Sequence, residues 1–289
     1  MGKWDAWIGR TERRSDRIDA GLAARWLATF DRNVAGDCAL PQGLHWCLGL
    51  PDAPTAQLGA DGHPRRDDSA ASFLPPIPLP RRMWASSKVE FLMPLHPGEA
   101  IERVSTVAAI SEKTGASGRL VFVDIAHETH ANGGLAVRET QTVVYREASP
   151  ENAHPVPPAL GQGAFDPAPW LVHRCLVPHE ALLLRYSALT FNAHRIHYDL
   201  PYATGTEGYR GLVVHGPLTA TLLLELAAHE LGDNVLARFA FRGLSPAICG
   251  EPLHLVMRRI RDAPEYGALE LAAFAADGRQ VMAATACIT

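Results

Sequence analysis

A short pattern in the first half of the chain returns in the second. Pro94–Glu99 reads P-L-H-P-G-E and Pro246–Glu251 reads P-A-I-C-G-E, so the proline and the Gly-Glu pair recur 152 residues apart. Each copy precedes a β-like run, then a glycine (Gly118, Gly267), an alternating strand, a tight turn and a final strand. The turns are Asn132-Gly133-Gly134 and Asp277-Gly278, spaced slightly closer than the rest. Matched element order favours duplication over chance. Between the copies, residues 148–169 hold six prolines and little apolar periodicity. Such a stretch sustains neither helix nor inner strand and reads as a linker. The expected organisation is a unit over 1–147, the linker, and a second unit over 170–289.

Period-2 alternation identifies the strands. Over 119–129, Val121, Val123 and Ile125 share one face, with Phe122, Asp124 and Glu128 on the other. Residues 135–145 pair back through the Asn-Gly-Gly turn, and 269–276 with 280–288 repeat the hairpin. Each half also carries a helix signal. Ser15 or Asp19 can cap one with Leu22, Trp26, Leu27 and Phe30 on one face. In the second half Gly216 is expected as the cap, Pro217 as the first helical residue and Gly232 as the stop. The leucines between them cover more than one face, so a sheet should wrap that helix on several sides. A buried helix cradled by a curved antiparallel sheet, occurring twice, predicts an α+β double hot-dog fold.

Residues 43–84 exceed that plan. Rich in Pro, Gly and charge, they are expected as a loop insertion. It is either a surface excursion or a flap over the site, since Arg81, Arg82, Met83 and Trp84 set cations beside an aromatic.

Composition narrows the function classes. With 47% hydrophobic and 20% charged residues the chain has ample core material, and a net charge of −4 argues against a nucleic-acid binder. Five scattered cysteines without a C-x-x-C fit reduced thiols. No apolar stretch is long enough to span a bilayer, and the N-terminus lacks a signal-peptide core, so a cytoplasmic protein with no membrane partner is expected.

The chemistry concentrates in F-N-A-H-R-I-H-Y-D (191–199) and L-V-V-H-G-P-L (212–218). His194, His197 and His215 crowd a polar loop that feeds an apolar helix, whose free N–H groups hold negative charge. A histidine can shuttle protons near neutral pH. His194 and His197 could hold a metal, but no acid or cysteine cluster completes a site, and none is expected. Asp199 is a substitute base or a cap for the turn that follows; His215 lines the pocket or bonds backbone at the helix start.

These two motifs resemble the hydratase motif of the MaoC-like enoyl-CoA hydratase and 3-hydroxyacyl dehydratase superfamily. They are closest to the branch with itaconyl-CoA hydratases and mitochondrial type-two dehydratases, and W-I-G-R (7–10), F-L-P-P-I-P-L-P-R-R-M-W (73–84) and L-V-F-V-D-I-A-H-E (120–128) resemble its mesaconyl-CoA hydratases. The family motif is Asp-x-Asn-Pro-(Ile or Leu)-His. Matched at its last residue, it implies His197 as the catalytic histidine. Asn192 stands where the family has Asp, and His194 and Arg195 replace its Asn and Pro. An amide is no general base. The resemblance therefore implies His197 as acid/base, Asn192 as a water-orienting group and the Gly216 amide as oxyanion donor. The implied reaction is reversible hydration of mesaconyl-CoA or itaconyl-CoA to citramalyl-CoA. Arg82, Arg81 or Arg195 would hold a substrate carboxylate, and His194, His215 and Trp84 would line the pocket. Coenzyme A enters as part of the substrate, with no metal or redox cofactor implied, and a homodimer follows by analogy with hot-dog units. The alternatives are a 3-hydroxyacyl thioester dehydratase of fatty-acid metabolism and a non-catalytic acyl-CoA-binding hot-dog protein.

Overall fold

The structure is a computed structural model that describes residues 2–33, 38–115, 118–147, 157–260 and 267–288. Part of the expected linker, 148–156, lies outside the described residues; 157–169 carries no helix or strand. The first half contains β1 (Thr11–Arg17), α1 (Ala20–Thr29), β2 (Arg81–Phe91), β3 (Ala100–Gly115), β4 (Gly118–Ala131) and β5 (Gly134–Arg146). The second contains β6 (Val172–Leu176), α2 (Glu180–Leu189), α3 (Leu200–Gly205), α4 (Gly216–Leu231), β7 (Leu236–Gly243), β8 (Leu253–Arg259), β9 (Ala268–Ala275) and β10 (Gln280–Ile288). All ten strands form one antiparallel sheet in the order β1-β3-β4-β5-β2-β7-β10-β9-β8-β6. The strand order reads the same outward from the β2–β7 seam in both halves, each a curved five-stranded sheet of hot-dog type.

Local chemistry accounts for the elements. Asp19 caps α1 by accepting the Leu22 N–H at 2.8 Å. The β4–β5 hairpin turns at Asn132 and Gly133, both at positive φ, as a primed turn requires. Gly98 and Gly250, the repeated glycines, both sit at positive φ just before β3 and β8. On β4, Val121, Val123 and Ile125 are buried while Phe122, Asp124 and Glu128 are half-exposed.

The duplication breaks at the central helix. Leu40 N donates to Leu95 O at 2.7 Å, and Val214 N donates to Ala247 O at 2.9 Å. These contacts match, because Leu95 and Ala247 are again 152 residues apart. Beyond Val214 the chain enters the 16-residue α4, whereas beyond Leu40 it makes only the 3₁₀ turn Leu44–Cys47. The expected pair of cradled helices is therefore corrected: α1 corresponds to α2, and α4 has no full counterpart. In its place the apolar tract after residue 72 packs on the first sheet. Ile77 and Leu79 are buried against Val107, Val121, Val123 and Tyr145. The insertion is thus partly core, and Arg81–Trp84 open strand β2 instead of forming a flap.

Around α4, Leu218, Leu223, Leu224 and Leu226 are buried against β8, β9 and α2. Leu222 is only partly buried. Leu223→Ala should cost about 2–5 kcal/mol, as large-to-small changes in filled cores do. Leu222→Ala should cost clearly less. Urea unfolding at constant m value reads both.

Candidate active site

The site forms where the loop after α2 meets the start of α4. Helix α2 ends at Thr190, and Phe191 at φ 47 turns the chain back. Asn192 then accepts the His194 N–H on Oδ1 at 2.9 Å, and the 3₁₀ turn Arg195–His197 follows. His197 is buried and its Nδ1 lies 2.7 Å from the Val213 carbonyl. A carbonyl only accepts, so Nδ1 carries the proton and Nε2 keeps a free lone pair. His215 stacks on His197, ring centroids 3.6 Å apart, and its Nε2 meets Ser187 Oγ at 2.8 Å. Its Nδ1 is buried and has no partner among the described residues.

His215 is the residue preceding α4, Gly216 the first of the helix and Pro217 the second. The helix thus begins one residue earlier than its sequence signals. The Gly216 N–H, in the first turn, has no partner among the described residues. Apart from its chain neighbours and the helix's own backbone, nothing stands within 4 Å of where a Cβ would be on Gly216, so the side of this residue is open beside the positive end of the helix.

Two residues that the sequence left unmarked complete the cluster. Asp61 and His63 belong to the insertion, where the D-G-H-P run (61–64) reads only as turn chemistry. His63 Nδ1 lies 3.0 Å from Asp61 Oδ2, and its ring lies 4.1 Å from that of His194. The loop is anchored across the halves: Arg195 N donates to Asp61 O at 2.9 Å and Arg195 Nη1 to Ala60 O at 2.9 Å. Gly62, at φ 89, lies so close that a Cβ there would fall 1.8 Å from the Ala193 carbonyl oxygen. Asp61, His63 and His194 each offer a ligand atom, all within 4.8 Å of one another, so the acid expected to be missing for a cation is present.

The arginines separate. Arg195 is bound to Asp199 at 2.7 and 2.9 Å, lies over Tyr202, and does not line the cavity; its expected carboxylate-binding place is corrected. Asp199 caps α3 through the Tyr202 N–H. Arg81 pairs with Glu207 at 3.1 Å. Arg82 lines the cavity near His194 and has no hydrogen bond or ion pair among the described residues. Trp84 also lines it, with Nε1 on Ser87 Oγ at 2.9 Å. The cavity, about 2180 Å³, runs from His197, His215 and Gly216 into the first half at Trp46, Glu139 and His127.

Burial sets the charges. It pushes His197 down to about 3, with His194 and His63 adding to the effect against the Val213 carbonyl. Burial, then the charge of His63, also takes His194 to about 3. His215 is lowered well below its usual range by burial and by His197. Burial opposes ionisation of Asp61, but the His63 hydrogen bond and charge outweigh it and hold Asp61 at about 2. At neutral pH the Asp61 carboxylate thus sits beside His194, His197 and His215 as neutral imidazoles, with helix-end donors next to them. That arrangement moves protons next to a developing oxyanion.

The profile for "Hydroxyacyl-thioester dehydratase type 2" matches residues 43–249. A "Mesaconyl-C(4)-CoA hydratase" of Chloroflexus aurantiacus is 41% identical over 285 residues, covering 98% of this chain and 96% of that one. The chain belongs to this MaoC-like family of type-two hydroxyacyl-thioester dehydratases. It is a hydro-lyase acting on acyl-CoA thioesters. A solved MaoC-like dehydratase superposes with TM-score 0.71 at 14% identity, covering 98% of both chains. A Mycobacterium tuberculosis protein described as a double hot-dog fold superposes with TM-score 0.60 at 13% identity, covering 96% of this chain and 95% of that one.

The depressed imidazoles predict an acid-sensitive fold. Unfolded histidine titrates near 6.5, so below that pH the unfolded chain binds protons that buried His194 and His197 refuse until about 3. The stability they contribute is full above about pH 7 and falls as the pH drops toward 3. Melting temperature should decline steadily from pH 7 to pH 4, with a shallower decline in His194→Gln.

Proposed function

We propose that the protein adds water reversibly to a short, branched dicarboxylic enoyl-CoA, mesaconyl-CoA or itaconyl-CoA, to give citramalyl-CoA. The observation that carries this substrate choice is Arg82. A guanidinium in the active cavity with no carboxylate partner among the described residues suits a substrate with a free carboxylate. The 41% identity to a mesaconyl-C(4)-CoA hydratase supports the same reading. In it, water stands between His197 Nε2 and the β-carbon. Its oxygen bonds to that carbon as the site takes one proton, and the π electrons move onto the thioester oxygen. The Gly216 N–H and the helix end stabilise that enolate, and a proton returned to the α-carbon completes the addition. Asn192 Oδ1 is committed to the His194 N–H, so its amide N–H groups are what it offers to the water. Because an amide cannot take a proton, Asn192 orients while an imidazole titrates.

A second reading, dehydration of longer 3-hydroxyacyl thioesters, is favoured by the depth of the cavity, whose volume exceeds the ordinary range of about 300–1,000 Å³ for ligand sites. Turnover of mesaconyl-CoA, itaconyl-CoA, crotonyl-CoA and a long-chain enoyl-CoA separates the two. Fast hydration confined to the dicarboxylates is expected; preference for the unbranched chains would move the protein to the second reading. Arg82→Gln should lower kcat/KM for the dicarboxylates by about 10–100-fold, the weight of a charged hydrogen bond of about 1.5–3 kcal/mol, and leave crotonyl-CoA nearly unaffected. His197→Ala should cut kcat about 10²–10⁴-fold on every substrate while the protein stays folded.

A further inference from the structure

The catalytic motif and the loop docked on it come from different halves of the chain, and the docking is specific. Three contacts hold residues 60–62 against 193–195: two hydrogen bonds from Arg195 and the glycine-only approach of Gly62 to the Ala193 carbonyl. A surface excursion needs none of them. Their effect is to present His63, oriented by Asp61, to a cavity whose motif lacks a carboxylate at position 192. His194 connects the two parts, with its ring 4.1 Å from His63 and 5.5 Å from His197. The charged and titratable groups around His63 are Asp61 from its own loop, His194 and His197 from the motif loop, and Arg82 from β2 beside His194.

A proton taken from water has to rest somewhere before it reaches the α-carbon. His197 is backed only by a backbone carbonyl and is stacked on a second buried imidazole, so its cation would be poorly compensated there. His63 becomes an ion pair with Asp61 when it is protonated. We propose that the Asp61–His63 dyad is the second acid–base element of the site: it holds the proton released by water and thereby replaces the carboxylate absent from position 192. This rests on the hydration reading above. As the water oxygen bonds to the β-carbon, its proton crosses the cavity that His197, His194 and His63 line and resides on His63 as imidazolium beside the Asp61 carboxylate. The electron pair of the double bond is meanwhile held on the thioester oxygen. Collapse of the enolate takes the proton back onto the α-carbon, so one water is added and the dyad ends neutral on His63 and anionic on Asp61. The dyad is the proton's station, and Asp61 acts through His63 as a positioning residue.

The test is a pH–rate profile from pH 5 to 9 for wild type, His63→Gln and Asp61→Asn, on whichever of mesaconyl-CoA, itaconyl-CoA or crotonyl-CoA the wild type hydrates fastest. Circular dichroism and melting temperature verify that each variant is folded, and His63→Gly is assayed with added imidazole. The expected result is a fall in kcat of about 10²–10⁴-fold in His63→Gln, the usual weight of a general acid–base group, with little change in KM. Asp61→Asn should fall less and shift the acid limb of the profile. Imidazole should restore part of the rate to His63→Gly, which a merely structural role for His63 would not allow. Full kcat with an unchanged profile in folded His63→Gln would overturn the dyad while leaving the hydratase reading intact. So would one tightly bound zinc per active chain, with activity lost to a chelator and restored by zinc alone. A wild type inactive on all three thioesters would overturn both.

Discussion

The pairing of Ser86–Glu90 with Arg238–Arg242 fuses two half-sheets into one, and the shape of the molecule follows from it. Neither β2 nor β7 is left as an edge, so the seam resists strand slippage and aggregation at the point where the copies meet. With the sheets continuous, a cavity can cross from one half into the other without exposing backbone. The chain before β2 then lies against the turn that carries His197. The contact between Gly62 and Ala193 is a consequence of this geometry, because only a fixed seam gives a loop of one half a constant address on the other.

Within that frame the decisive quantity is the charge of a few rings. Three imidazoles close together in a buried pocket cannot all be protonated, and burial settles the matter by keeping His194, His197 and His215 neutral. A neutral ring that donates from Nδ1 to a carbonyl presents a lone pair, which is the form a base needs. The same burial makes its conjugate acid short-lived. The Asp61 carboxylate is held by its hydrogen bond to His63, whose ring in turn lies 4.1 Å from that of His194, whereas the ring that precedes the helix, His215, stacks on His197. Anion-stabilising donors at Gly216 and an anion at Asp61 thus sit apart, so the carboxylate does not compete with a substrate oxyanion for the helix end.

Much of this was legible in the sequence for identifiable reasons. Alternation marked β4, which has one face buried; turn chemistry marked Asn132-Gly133 and Asp277-Gly278 and with them the hairpins β4–β5 and β9–β10; and the motif at 191–197 together with Gly216-Pro217 marked the meeting of loop and helix. What was missed is non-local. Nothing in D-G-H-P says that it touches Ala193, about 130 residues later in the chain, because that contact is created by the seam and not by any local preference. Arg195 illustrates the converse. Its place inside the motif pointed to substrate, yet its guanidinium is spent on Asp199 and on the carbonyl of Ala60. Arg81 and Arg82 are neighbours in sequence and both line the cavity, but Arg81 is paired with Glu207 there while the Arg82 side chain has no partner among the described residues.

The asymmetry of the duplication explains why a chain with two similar halves has one candidate site. At the position matching His215 the first half has Pro41, and the helix that should follow stops after a single 3₁₀ turn. Without a long helix at that position there is no row of aligned peptide dipoles ending beside Pro41, and Pro41 itself has no N–H to offer, so the first half does not repeat the helix-end arrangement of α4. The slot left on its sheet is filled partly by Ile77 and Leu79 and partly by the cavity. In the first half the chain that has no long helix instead carries Asp61 and His63 to the motif, and the cavity extends from the α4 start into that half.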